Sequence, residues 1–168
     1  MGYPDHFKLT DDIIAHLDAV LAATHDPFVE SRYVGFLAVS AVTVYELAIK
    51  TIFLEFAQAK HQVLACFTAA FFERINGRIK VPNLRDDYIS KYGDKYVKRF
   101  DKRLAALEAT YLQSQGTSVK AAYTNVITWR NSFAHEGRVP VTATFAEVKR
   151  AYDVGKEVIH CLAQTMRR

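Results

Sequence analysis

Residues 28–59 read FVESRYVGFLAVSAVTVYELAIKTIFLEFAQA. The stretch holds no proline and a single glycine, and its apolar residues recur on every side. A helix that is apolar nearly all round is one enclosed by protein, so the stretch predicts a long central helix from about Phe28 to about Ala59. One narrow polar stripe interrupts it: Ser40, Thr43, Glu46 (with Leu47 beside it) and Lys50. The run from Val34 to Phe56 approaches the length of a membrane span. Tyr45-Glu46 and Lys50 break it, so it reads as a buried helix. Asp26-Pro27 supplies an N-cap followed by proline at the first helical position.

Outward from this helix every long segment again reads as helix. Ahead of it, Thr10 is the expected N-cap of a helix with the stripe Ile13, Leu17 and Leu21. Behind it, a helix from about His61 to Asn76 is expected to bury Leu64, Phe67, Phe71 and Ile75, and Asn76-Gly77 closes it. A small helix follows from Asn83 to about Lys91. Asp94 is the expected cap of a helix from Lys95 to Gln113 that buries Tyr96, Phe100, Leu104, Leu107 and Tyr111. The next runs from Ser118 to Ala134 and stops at Glu136-Gly137, with Pro140 in the loop beyond. Thr144 to Glu147 form a capping box opening the last helix, which buries Phe145, Val148, Tyr152, Ile159, Leu162 and Met166. There is no alternating strand pattern and no repeat. The expected fold is all-α: an antiparallel up-and-down bundle of five to seven helices, with residues 1–168 as a single domain.

Half of the 168 residues are apolar, and seven glycines and four prolines are too few for disorder or collagen. The N-terminus, Met1 to Asp5, has neither a basic start nor an apolar core, so no export signal and a cytoplasmic location are expected. Cys66 and Cys161 fall inside helical patterns and are expected as small core residues in a reducing compartment. Charge is uneven: residues 1–84 carry seven Lys/Arg against nine Asp/Glu, and residues 85–168 carry fifteen against nine. That asymmetry suits a polyanionic partner, although many proteins with no nucleic-acid role match it. Lys95, Lys98, Arg99 and Lys102 are the candidate RNA-backbone contacts. Interspersed Asp86, Asp87, Asp94 and Asp101 favour a solvated helix face.

The chemistry concentrates in Trp129-Arg130-Asn131-Ser132-Phe133-Ala134-His135-Glu136-Gly137. Asn131 and His135 are four apart and share one helix face. Arg130 continues the apolar face of Val126 and Ile127, where a lone guanidinium requires an anion or a partner. A permanent cation beside the side chain that titrates near neutrality suits phosphoryl transfer on RNA. In that reading Arg130, Asn131 and His135 are the catalytic residues. His135 moves the proton, Arg130 neutralises phosphate charge, and Asn131 positions one of them. The same residues also fit a plain helix C-terminus, which favours cations. Glu46 is the candidate supporting residue, holding Arg130 or His135; a surface pair with Lys50 is its alternative. His6, His16, His25, His61 and His160 have no metal-ligand spacing, and no cofactor or metal is called for.

Arg130 to His135 resembles the signature of the HEPN superfamily, in which an arginine, often followed by asparagine, precedes a histidine by four to six intervening residues. Its position late in an all-helical chain with a long early helix matches as well, so the resemblance covers most of the sequence. It implies a single HEPN-like helical domain, possession of a metal-independent endoribonuclease activity, and a homodimer with the motif helices near the twofold axis. It further implies a role as a toxin or an anti-phage, abortive-infection effector of the RiboL-PSP-type or related groups. Expected partners are RNA, a second copy, and an antitoxin or operon partner protein, with no membrane. The alternative is a non-catalytic HEPN interaction module, or the regulatory partner of a toxin–antitoxin or nucleotidyltransferase pair.

Overall fold

Caps written into the sequence set most of the helix starts. The computed structural model describes residues 2–24, 26–73, 77–138 and 143–167. A 3-10 turn, Tyr3–His6, leads into α1 (Phe7–Ala23), followed by α2 (Pro27–Gln58) and α3 (Gln62–Phe72). A π-helical turn, Asn83–Tyr88, and a 3-10 turn, Ile89–Tyr92, precede α4 (Asp94–Gln115), α5 (Val119–Glu136) and α6 (Phe145–Met166). No strand occurs among the described residues, so the fold is the expected all-α bundle. Asp26 accepts from the Phe28 N–H, Ser118 from Ala121, and Thr144 with Glu147 closes a reciprocal capping box.

Three expectations are corrected. Thr10 does not cap α1: the 3-10 turn runs straight into a helix that begins at Phe7. Thr10 lies buried inside it, with Oγ1 2.7 Å from Ser40 Oγ of α2. The two hydroxyls satisfy each other, which removes Ser40 from the exposed polar stripe. Asp94 is the first residue of α4, not its cap, and Gly93 takes the cap position. α3 is shorter than expected and turned about its axis. It buries Ala65, Thr68 and Phe72, while Phe67 and Phe71 are 72% and 50% exposed. The stack of Phe72 on Phe53 (4.7 Å between centroids) and the 3.0 Å bond of Thr68 to the Tyr92 hydroxyl set this phase. It also exposes Cys66, whereas Cys161 is buried and its thiol pushed up to about 11. His25, Ile75, Asn76 and Pro140 lie outside the described residues.

The core is organised around Tyr45 of α2, which is wholly buried. Its ring stacks between Tyr123 of α5 (5.3 Å) and Tyr152 of α6 (5.7 Å). Its hydroxyl donates to the Tyr152 carbonyl at 2.6 Å. Tyr123 donates to the Ile79 carbonyl at 2.7 Å, which ties the segment after α3 to the bundle. Burial holds the Tyr45 and Tyr123 hydroxyls well above their ordinary range, so both remain donors. α2 is the one described helix long and apolar enough to cross a membrane, and most of that apolar window is packed inside the bundle.

Gly155 admits the Tyr45 hydroxyl: a Cβ there would lie 2.4 Å from the oxygen. Gly155→Ala should therefore destabilise by about 1–3 kcal/mol through overpacking, in spite of alanine's better helix propensity. Adding Tyr45→Phe, which deletes the obstructing oxygen, should recover part of the loss in thermal denaturation.

Candidate functional site

α5 ends at Glu136, two residues past Ala134 and at the expected Glu136-Gly137 stop. Gly137 closes it with φ +68°, its N–H donating to the Phe133 carbonyl at 2.9 Å, so His135 belongs to the last helical turn. Two contacts fix this end on α2. A Cβ on Gly35 would lie 2.0 Å from the Phe133 ring, so the ring rests directly on the α2 backbone. Arg32 donates to the Gly137 carbonyl at 2.8 Å.

Arg130 is half-buried, and its environment comes from three elements. Its Nη1 donates to Asn131 Oδ1 at 3.0 Å. Side chains tilt toward a helix's N-terminus, so Arg130 reaches back along α5 toward the level of Glu46. There its Nη1 lies 3.3 Å from where a Cβ on Gly77 would be. Gly77 adopts φ +73°, and its N–H donates to Glu46 Oε1 at 2.9 Å. Glu46, Gly77 and Arg130 therefore stand in a row across α2, the 77–80 segment and α5.

Glu46 forms no ion pair within 4 Å with Lys50 or Arg130 among the described residues, so the simple Lys50 pair does not form. Burial pushes its carboxyl above the ordinary range, against the downward pull of the Gly77 N–H and the Arg130 and Lys50 charges. The side chain of His135 is exposed and makes no hydrogen bond within the described residues. Five residues on an α-helix are about 140° around the axis, so Arg130 and His135 face different directions in one chain. Asn131 lies between them and its carbonyl oxygen serves Arg130, not His135.

The basic run on α4 is elsewhere. Arg99 donates to the Thr165 and Arg167 carbonyls at the end of α6, and its guanidinium lies over Tyr96. α6 begins beside the motif, where Glu147 and Trp129 line one groove, and ends at Arg99. The α4 cations are thus removed from Arg130 by most of α6, roughly 30 Å at 1.5 Å per residue. Lys95, Lys98 and Lys102 are exposed there and do not join the motif. Among the described residues no group of three His, Cys, Asp or Glu side chains converges as a metal site.

The profile of the RiboL-PSP-HEPN family matches residues 5–167. The chain belongs to the RiboL-PSP-HEPN family. HEPN domains are often RNases, which gives the motif end of α5 a chemical context at the level of the superfamily. No curated protein and no solved structure matches the chain. Two residues of this HEPN domain's site escaped the sequence reading: Gly35, which seats Phe133, and Gly77, which links Glu46 to Arg130. Asn76-Gly77 was legible as a helix stop, with nothing to say what the glycine would face.

The raised Glu46 carboxyl gives a signed expectation. The fold disfavours its charge, so the cost is absent where the group is protonated in both states. It grows as pH rises past the ordinary value of about 4.3. Glu46→Gln should melt at or above wild type at pH 7, with the difference closing toward pH 4. A variant less stable at pH 7 that converges with wild type at pH 4 would mean that the Arg130 attraction outweighs burial.

Proposed function

We propose that this HEPN domain is a metal-independent endoribonuclease that acts as a homodimer. The observation that carries the reading is the contrast within one helix end. Arg130 is hydrogen-bonded to Asn131 and lies close against Gly77, whereas the side chain of His135, in the last turn, is exposed and has no hydrogen-bond partner among the described residues. A fixed cation and a free proton carrier are what cleavage of RNA requires. The 2′-oxygen attacks the adjacent phosphorus and gives its proton to a base. The P–O5′ bond breaks, and the leaving oxygen takes a proton from an acid. Arg130 stabilises the charge on the non-bridging oxygens. The products are a 2′,3′-cyclic phosphate and a 5′-hydroxyl.

One chain offers a single histidine at the site, and it faces away from Arg130. A twofold axis beside the ends of α5 brings two copies of both residues to one cleft and supplies acid and base together. The protein should sediment as a dimer at micromolar concentration. A monomer with full activity would contradict the shared cleft. Glu46 is a positioning residue: it holds Gly77, and Gly77 bounds Arg130. Such a nuclease suits a toxin or anti-phage effector held in check by an antitoxin or operon partner. A non-catalytic interaction module is the second reading, favoured by the lack of any group orienting His135 among the described residues.

Single-stranded RNA should be cut in excess EDTA, and DNA of the same sequence should survive because it lacks the nucleophile. His135→Ala should lose on the order of a hundredfold or more in rate. Arg130→Lys should also be poor, since an ammonium does not reproduce the planar two-point contact with phosphate. Activity that vanishes with chelator, or His135→Ala cutting as fast as wild type, would refute the proposal.

A further inference from the structure

α2 is enclosed on all sides but one. On the open side Arg32, Phe36, Val39, Thr43, Leu47 and Lys50 fall on one face, since 18 residues make five turns and align Arg32 with Lys50. Phe36 is 48% exposed and Leu47 38%. Thr43 donates to the Val39 carbonyl, so the middle of the face presents little free polarity. A central helix of this protein thus shows an apolar strip about 16 Å long between Phe36 and Leu47, at 1.5 Å per residue.

The charges around the strip identify its occupant. Arg32 stands at one end, its guanidinium 5.0 Å over the Phe28 ring and bound to Gly137. Lys50 stands at the other, on the edge of a hollow of about 530 Å³ between α2 and α3, with Glu73 across it. Arg130 and the exposed Arg78 and Lys80 flank the middle through the 77–80 segment. Among the described residues none of these five cations has a carboxylate within 4 Å. Lys95, Lys98, Lys102 and Arg103 on α4 are equally without a carboxylate, but Tyr96 and Phe100 beside them are buried, whereas Phe36 is exposed. Glu46 is the carboxylate on the strip itself, and it is turned to Gly77. Unpaired cations bordering an exposed aromatic are the elements of a single-strand nucleic-acid track: phosphates meet the cations and a base stacks on the ring.

We propose that single-stranded RNA lies along this face of α2, with a base on Phe36 and flanking phosphates on Arg32 and Lys50, and so reaches the Arg130 end of α5. The track rests on the ribonuclease reading for its substrate class, but it is a binding surface and is tested without cleavage. The probe is a fluorescent 2′-O-methyl RNA dodecamer, which lacks the nucleophile, followed by anisotropy against the full chain at several salt concentrations. Phe36→Ala should weaken binding about tenfold, and Phe36→Trp should restore it. Arg32→Ala with Lys50→Ala should weaken binding and flatten the salt dependence by about 1.4 in log–log slope. Lys95→Ala with Lys102→Ala should bind as wild type does.

Failure of the wild type to bind overturns the track, as does Phe36→Ala binding with unchanged affinity. If Phe36→Ala changes the oligomeric state and leaves affinity alone, the face belongs to a second copy and the track is wrong. If wild type binds as described yet cuts no RNA, the track stands and the nuclease reading falls. If Phe36→Ala both binds and cuts normally, the reverse holds.

Discussion

Burial of α2 is the constraint on which the remaining structure depends. Its apolar surface cannot be covered by any single neighbour, so α1, α3, α5 and α6 all pack on it, and Tyr45 fixes their register at the centre. The ring stacks on one tyrosine from α5 and one from α6, and its hydroxyl is bound to the α6 backbone. Close-packed interiors transmit such register over several turns. Nearly three turns further along, Phe133 lands on Gly35, where no side chain is in its way. The end of α5 is thereby held against α2, and Arg130 comes to the level of Glu46.

The site has a division of labour that follows from burial. Arg130 is half-buried and bounded by backbone, so its guanidinium is oriented before any ligand arrives. Glu46 achieves this indirectly: it grips the Gly77 N–H, and its own charge is disfavoured where it stands. Strain of that kind is expected where a residue serves a site more than it serves stability. His135 is left outside this framework, in a turn that ends in a left-handed glycine.

Much of the fold was legible because the relevant signals are local. The Asp26-Pro27 start, the Ser118 cap, the Thr144–Glu147 box and the Gly137 stop are each decided within a few residues, and α2, α5 and α6 follow them. The phase of α3 was not legible. Its sequence is apolar on two faces, and only the stack of Phe72 on Phe53 chooses between them. The start of α1 misled because Thr10 looks like a cap from sequence and instead partners Ser40, thirty residues away. At the site, the motif residues and the shared face of Asn131 and His135 were legible, but the partners of Arg130 were not: Asn131 Oδ1, and Gly77 in the grip of Glu46. The charged residues carried the least information. A count of lysines and arginines points to α4, yet the aromatics beside those cations are buried, while Phe36 stands exposed between Arg32 and Lys50 on α2.

In the proposed cleavage Arg130 fixes the phosphate, His135 transfers the proton and the RNA's own 2′-oxygen is the nucleophile. The most direct measurement is the mass of the fragments released from a defined single-stranded RNA. The account predicts that every new upstream end carries a 2′,3′-cyclic phosphate and every downstream fragment a 5′-hydroxyl. Fragments ending in 3′-hydroxyl and 5′-phosphate would mean that water, not the ribose, attacks the phosphorus, and would contradict it.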